Sequence, residues 1–335
     1  MEINDVQQQH HYRGQRIALL IPCFNEEAAI AAVIQGFRQA MPCLGIYVFD
    51  NNSTDQTAAI ARLQGAHVIE VPLRGKGNVV RRMFADTEAD IYVMVDGDAT
   101  YDAKAVQVMV DKLLDNGLDM VVGCRKAQHA NAAYRSGHQW GNRMLTGSVM
   151  RIFGGQFTDM LSGYRVFSRR YAKSFPALSH GFETETELTV HALELRMPYG
   201  EVMTAYGARP EGSTSKLSTY RDGWRILKTI GKLYVSERPF AFFGMCSLVF
   251  AITSIVLALP VLIEYFEHGV VPRLPTAVLS ASLMLSAMLS IVCGLILDTV
   301  TKGRHEVKRL VYLSIASSSI AARWQSQPVN PALPE

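Results

Sequence analysis

Short apolar runs alternate with polar, helix-compatible stretches along the first part of the chain. Arg16–Pro22, Gly45–Phe49, His67–Val71, Ile91–Val95 and Met120–Gly123 read as buried strands. Between them, Ala28–Met41, Ala58–Gln64 and Asn78–Phe84 carry helical periodicity, and Glu26-Glu27 falls where a first turn favours carboxylates. Asn51-Asn52-Ser53-Thr54-Asp55-Gln56-Thr57 has the chemistry of a loop and helix cap. Alternation with short links predicts an α/β layer fold with a largely parallel sheet. In such sheets ligands gather at the carboxyl ends of the strands. Asp50, Asp96 and Asp98 all fall there, so the pattern alone places three carboxylates on one rim.

The pattern then changes. Phe240–Ile263 and Leu274–Leu297 contain no charged residue, and each is long enough, at about 1.5 Å per helical residue, to cross about 30 Å of hydrocarbon. Arg221, Arg225, Lys228, Lys232 and Arg238 precede the first run; Lys302, Arg304, Lys308 and Arg309 follow the second. Basic flanks stay cytoplasmic, which predicts a hairpin with both ends and the preceding domain in the cytosol. No ionisable residue lies within either run, which argues against a conducting path. In Thr219–Ser236, Trp224, Leu227, Ile230, Leu233 and Tyr234 recur at helical spacing among basic residues. That suits a helix lying on anionic headgroups, with an ordinary helix packed on the soluble domain as the alternative. Val307, Leu310 and Val311 repeat the pattern more weakly within residues 303–323. The expected organisation is a polar tail over residues 1–14, a sheet domain over 15–218, a juxtamembrane amphipathic helix over 219–238, a two-helix hairpin over 239–298, and a cytosolic juxtamembrane helix and tail over 299–335.

Composition narrows the function classes. Of 335 residues, 49% are hydrophobic and 19% charged, which fits folded domains and excludes disorder. A net charge of +3 gives no argument for nucleic acid. The five cysteines include no Cys-x-x-Cys spacing, so a zinc site is not expected and reduced thiols are. The first residues lack the apolar core of a signal peptide.

The chemistry concentrates at Asp96-Gly97-Asp98. Mg²⁺ prefers hard oxygen donors and typically takes one or two protein carboxylates, keeping other positions for phosphate and water. Asp-x-Asp on a tight turn supplies that minimum, with Gly97 permitting the bend; the same tripeptide also serves as a plain turn. Gly75-Lys76-Gly77 lacks the other elements of a Walker loop, yet offers amides and an ammonium to an anion; a surface turn fits it as well. Glu183, Glu185 and Glu187 alternate in a segment that reads as a solvated helix start.

Taken in order, Pro22-Cys23-Phe24-Asn25-Glu26, Asp50-Asn51-Asn52-Ser53-Thr54-Asp55, Gly75-Lys76-Gly77 and Asp96-Gly97-Asp98 resemble family 2 glycosyltransferases of the GT-A fold. Asp159-Met160-Leu161-Ser162-Gly163-Tyr164-Arg165 and Arg209-Pro210-Glu211-Gly212-Ser213-Thr214-Ser215-Lys216 resemble the branch of dolichyl-phosphate mannose synthases and bacterial polyprenyl-phosphate glycosyltransferases. The resemblance covers roughly residues 16–310. It implies a metal-dependent, inverting transfer from a nucleotide-sugar to polyprenyl (undecaprenyl) phosphate at the cytosolic face of a bacterial inner membrane. It also makes a homo-oligomer plausible. Pro22, Phe24, Glu26 and Asp50 would hold the nucleoside, with Lys76 beside the donor. Asp96 and Asp98 would hold the diphosphate and its Mg²⁺ or Mn²⁺. Arg125 would meet phosphate; Arg209, Ser213 and Lys216 would bind phosphate of donor or lipid. Asp159 is open between orienting the sugar, positioning the acceptor and capping the turn at Ser162-Gly163. Relatives often carry Gln two residues after the second Asp, where this chain has Thr100. UDP-glucose is the first-choice donor, with GDP-mannose and N-acetylhexosamine donors as alternatives. A membrane-anchored nucleotide-sugar-binding scaffold is the rival from another class. A processive polysaccharide synthase is disfavoured because Ile320 stands where its Gln/Arg-x-x-Arg-Trp motif needs Gln or Arg.

Overall fold

The computed structural model describes residues 11–127, 136–179, 181, 183–210 and 219–317. The chain divides into two compact units, one running to Leu227 and resuming at Lys308, the other Lys228–Val307.

The first unit is built on one sheet. Its strands are β1 (His11–Tyr12), β2 (Gln15–Cys23), β3 (Gly45–Asp50), β4 (His67–Glu70), β5 (Ile91–Met94), β6 (Met120–Ala127), β7 (Arg165–Ser168) and β8 (Tyr199–Tyr206). Their order is β4-β3-β2-β5-β7-β6-β8, with β1 paired to β2. The β4-β3-β2-β5 half is parallel; β7 runs antiparallel to both β5 and β6, and β6 pairs β8 in parallel. The expected mostly parallel sheet is therefore present, with an inserted reverse strand. The segment expected as a tail contributes β1, whose His11 and Tyr12 pair with Arg16 and Gln15.

Helices cover both faces, as a parallel sheet requires. The first-unit helices are α1 (Ile30–Ala40), α2 (Thr57–Leu63), α3 (Lys76–Asp86), α4 (Ala105–Asp115), α5 (Ser136–Phe153), α6 (Arg169–Ser174) and α7 (Thr184–Glu194). Strand period two divides β2 cleanly. Ile17, Leu19 and Ile21 join the core that contains Ile30, Val33, Ile34 and Phe37 of α1, while Ala18 and Leu20 join the core that contains Val79, Val80 and Met83 of α3. Helix α1 begins two residues later than the sequence suggests, so Glu26 and Glu27 precede it and none of its first-turn residues is acidic. The Glu26 carbonyl instead accepts from the amides of Ala29 and Ile30.

Arg165 at the start of β7 is fully buried. Its guanidinium donates to the carbonyls of Ser162 (3.0 Å), Glu185 (3.1 Å) and Met160 and to Thr189 Oγ1 (3.1 Å), so one side chain ties the 159–165 segment to α7. Burial lowers its pKa, and the surrounding oxygens satisfy the ion in place of water.

Three more helices complete the chain: α8 (Thr219–Glu237), α9 (Pro239–His268) and α10 (Leu274–Leu313). Helices α9 and α10 are long and apolar enough to cross a membrane. Residues at sevenfold spacing are buried on both: Ser247, Ser254 and Val261 on α9 and Ser280, Ala287, Gly294 and Thr301 on α10, the last donating to the Ser236 carbonyl of α8 at 3.0 Å. Ser254 Oγ donates to the Ser280 carbonyl at 2.7 Å, and a Cβ on Gly294 would approach Phe243 Cβ to 3.1 Å. A heptad of small residues permits this close approach. The outward faces carry exposed Leu248, Ile252, Val256, Leu285, Leu289 and Val292, an arrangement suited to hydrocarbon.

The helix that carries the second apolar run does not stop where the run ends, near residue 298. Helix α10 continues unbroken to Leu313, so the separate juxtamembrane helix expected from residue 299 is its continuation. Within the second unit, Arg304 donates to the Ser236 carbonyl (2.9 Å) and His305 bonds Glu237 (2.6 Å). Within the first unit, Tyr312 donates to Asp119 (2.7 Å) beneath the Arg170 guanidinium, and Lys308 pairs with Glu194 (2.8 Å). The chain end beyond the apolar run thus belongs partly to the sheet unit.

Replacing Arg165 with Met would leave buried carbonyls without donors, at a cost of about 3 kcal/mol. We expect the thermal midpoint of R165M in detergent to fall by roughly 6–12 °C; an unchanged midpoint would show that those carbonyls do not depend on Arg165.

Candidate active site

The site lies where β2, β3, β5 and β6 end. At the end of β3, Asp50 is buried; its Oδ2 accepts the Ser53 amide (3.1 Å), and its Oδ1 is a buried acceptor without a hydrogen-bond partner among the described residues. Next to it, Asn51 donates to the carbonyls of Val71 (2.9 Å) and Leu73 (2.7 Å) and accepts from the Gly75 amide (2.7 Å). It therefore shapes the loop that launches α3. The loop after β2 is stapled to this one: the Asn25 amide donates to Ser53 Oγ (2.9 Å), the Glu26 amide to Thr57 Oγ1 (2.8 Å), and the Thr54 amide to Asn25 Oδ1 (2.8 Å). Arg74 stacks on Phe24 at 5.3 Å. Pro22 and Asp50 thus lie at the ends of two paired strands, β2 and β3, and Phe24 and Glu26 in the loop locked to the one after β3.

Beyond β5, the Asp96-Gly97-Asp98 turn differs in one detail from expectation. The left-handed residue is Ala99 (φ 58°), while Gly97 is not among the positive-φ glycines. Gly97 is required by packing instead, because a Cβ there would sit 2.7 Å from Cys23 Sγ. Asp98 is 5% exposed. Its Oδ1 accepts from the Thr100 hydroxyl (2.6 Å) and amide (3.2 Å), and its Oδ2 pairs with Arg209 Nη2 (2.7 Å). Thr100, the departure from the family pattern, is thereby the residue that fixes the Asp98 carboxylate.

Asp96 Oδ1 receives the Lys76 ammonium at 2.5 Å, and the same ammonium reaches Glu185 Oε1 at 2.5 Å. Burial alone would lower the Lys76 pKa, but Asp96 and Glu185 outweigh it and hold the ammonium charged well above the usual lysine range. Glu185 and Glu187 are buried (5% and 6% exposed), which corrects the expectation of a solvated helix start. Glu187 accepts the amides of Leu178 (2.8 Å) and Ser179 (2.9 Å). The turn so held passes close to α3: a Cβ on Gly77 would lie 2.1 Å from the Ser179 carbonyl oxygen.

From β6, Arg125 donates through Nε and Nη2 to the two oxygens of Asp159, both at 2.7 Å, in a bidentate pair. Its guanidinium also lies over the Tyr206 ring at 5.7 Å. The Asp159 block meets Asp96 through Gly163, whose added Cβ would fall 2.2 Å from Asp96 Oδ2. Tyr101 holds this approach by accepting the Gly163 amide at 2.9 Å.

The structure therefore joins Lys76 to Asp96, Arg209 to Asp98 and Arg125 to Asp159 directly, with the Pro22–Asp50 loops on the same rim. Ser213 and Lys216 lie outside the described residues. Glu185, Asn51 and Tyr101 are the site residues that sequence reasoning passed over. The alternating glutamates were visible, but which of them is buried against a lysine more than a hundred positions away was not.

Comparison with known proteins bears on the family and the fold. Residues 18–175 match the profile of the family described as glycosyl transferase family 2. The glycosyltransferase AglJ of Haloferax volcanii is 32% identical over 296 residues, spanning 88% of this chain and 97% of AglJ. A dolichyl-phosphate hexose transferase of the same organism is 28% identical over 233 residues, 68% of this chain and 97% of that protein. Among solved structures, the glucosyl-3-phosphoglycerate synthase of Mycobacterium tuberculosis with Mn²⁺, UDP-glucose and phosphoglyceric acid superposes with a TM-score of 0.55 at 23% identity, covering 70% of this chain and 84% of that one. This last likeness establishes the GT-A fold.

Gly163→Ala should push the Asp96 carboxylate aside without disturbing the core. Turnover is expected to fall at least about tenfold, equivalent to about 1.4 kcal/mol of barrier, with an unchanged circular dichroism spectrum; wild-type turnover would show that Asp96 need not sit against Gly163.

Proposed function

The chain belongs to glycosyl transferase family 2, and we propose that it transfers a sugar, glucose from UDP-glucose as first choice, to polyprenyl (undecaprenyl) phosphate at the cytosolic face of a bacterial inner membrane. The products are the polyprenyl-phosphate-linked sugar, inverted at the anomeric carbon, and a nucleoside diphosphate. The observation that carries this reading is the Arg209–Asp98 ion pair at 2.7 Å. It sets a cation from the segment after β8 directly on a carboxylate of the donor rim, where an acceptor phosphate and a departing diphosphate have to meet.

Pro22, Phe24, Glu26 and Asp50 hold the nucleoside, with the unpartnered Asp50 Oδ1 as an acceptor for a base or ribose donor. The residues present fit a divalent ion: Asp96 and Asp98 offer hard carboxylate oxygens, and Asp96 Oδ2 faces the bare backbone of Gly163. These two aspartates would hold Mg²⁺ or Mn²⁺, which when bound would supply positive charge against the leaving diphosphate. Arg209 Nη1, buried and without a hydrogen-bond partner among the described residues, is the donor for a phosphate oxygen. Ser213 and Lys216 extend that cationic segment in sequence.

A phosphate monoester has its second pKa near 6, so at cytosolic pH the acceptor is already mostly dianionic and needs no strong general base. That agrees with Asp159, whose two oxygens are engaged by Arg125. Asp159 serves to set Arg125, and Arg125 to receive phosphate. A lipid acceptor fits a chain with two helices able to cross a membrane. Exposed Trp224 on α8 supplies an interfacial anchor.

The test is an assay of detergent-purified protein with radiolabelled nucleotide-sugars, polyprenyl phosphate and Mg²⁺. Label entering the lipid fraction with one donor supports the reading; label that stays aqueous with every donor favours a binding scaffold. In the same assay Asp98→Ala should retain less than about a tenth of the wild-type rate, and a higher rate would contradict metal-assisted departure. Lys216→Ala should weaken acceptor use more than donor binding; equal values for both would remove Lys216 from the acceptor site.

A further inference from the structure

We propose that Glu185 is a positioning residue for the donor site, acting through Lys76 to keep the Asp96 carboxylate available to the donor. This rests on the reading that Asp96 takes part in binding the nucleotide's diphosphate and its cation. The sequence offers no role for the Phe182-Glu183-Thr184-Glu185-Thr186-Glu187 stretch, and none of the site motifs contains it.

The geometry is specific. Lys76 Nζ sits 2.5 Å from Asp96 Oδ1 and 2.5 Å from Glu185 Oε1, with side-chain exposures of 10% for Lys76, 28% for Asp96 and 7% for Glu185. One ammonium is thus shared by two carboxylates, and the set carries a net charge of −1. Asp96 is the more exposed carboxylate and faces the site; Glu185 is the buried one. Glu185 is itself held rigidly. Its carbonyl accepts from Arg165 Nη2 (3.1 Å) and from Thr189 Oγ1 (3.0 Å). Glu187, two residues on, fixes the 178–179 turn that crosses Gly77 at the start of α3. Lys76 occupies the first position of that helix. The donor and acceptor of the Lys76–Glu185 bond are therefore set by two backbones locked against each other.

Sharing matters because a buried ammonium seeks full compensation. Without the Glu185 charge, Lys76 takes Asp96 as its sole counter-ion. The pair becomes neutral and Asp96 is drawn away from any cation or hydroxyl in the site. With Glu185 in place, Lys76 is already paired on its buried side, and Asp96 keeps negative charge toward the donor. Lys76 on this view is a regulator of Asp96 charge rather than a free phosphate ligand.

The consequence is a reversal that a structural role would not produce. Binding of Mn²⁺–UDP, with Mn²⁺–GDP run in parallel, is measured without turnover by calorimetry and by the Mn²⁺ electron paramagnetic resonance signal on full-length protein in detergent. Glu185→Gln should weaken binding on the order of tenfold, a coupling typical of residues in one charged network. Glu185→Asp should recover part of that loss. Adding Lys76→Met to Glu185→Gln removes the uncompensated ammonium and should restore affinity to within about threefold of wild type. Loss of packing cannot be repaired by deleting a second buried side chain. Wild-type affinity in Glu185→Gln would overturn the inference, as would a double variant as weak as the single one with an unchanged melting midpoint. Wild-type protein that binds neither complex would sink the proposed function itself, and this inference with it.

Discussion

The site depends on the pairing of buried charge. Among the described residues, three cations at the carboxyl rim of the sheet meet four carboxylates: Lys76 between Asp96 and Glu185, Arg209 on Asp98, and Arg125 on Asp159. A lone buried ion costs several kcal/mol, so each of these groups constrains where its partner's backbone can run. The result is that α3, the turn after β5, the 159–165 segment, α7 and the end of β8 converge within reach of one another. The glycines at 77, 97 and 163 are what let them converge, since each lacks a Cβ that would collide with a neighbouring segment.

Much of this was legible in the chain. The strand–helix alternation and the rim position of Asp50, Asp96 and Asp98 follow from period-two and period-3.6 patterning, because burial on both faces forces it. The two long apolar runs were equally plain, since length and the lack of charge suffice. What could not be read was long-range. The reverse strand β7 is four residues long and gives no periodic signal of its own. Arg165 looks like a surface residue by type, yet it is fully buried because three carbonyls, from the 159–165 segment and α7, replace its water. Glu185 has the same cause, with its counter-ion over a hundred positions away. Gly97 is expected to permit the bend, but it answers to Cys23 Sγ instead, and the left-handed residue of the turn is Ala99.

The membrane half shows a second kind of limit. Apolar composition marks where a helix can lie in lipid, but not where it stops. Helix α10 runs to Leu313 with an i,i+4 ion pair between Asp298 and Lys302 (2.8 Å) and with the good helix formers Arg304, Glu306, Lys308, Arg309 and Leu310 in its last turns. Its last turns carry Lys308 and Tyr312, whose partners Glu194 and Asp119 belong to the sheet unit. The chain therefore enters the apolar hairpin from that unit and returns to it.

The most direct measurement of the proposed chemistry is anomalous diffraction from a crystal soaked with UDP and manganese. A single manganese peak between the Asp96 and Asp98 carboxylates and the diphosphate oxygens is the expected result. Ordered UDP on the rim with no peak at that position would contradict metal-assisted departure of the nucleotide.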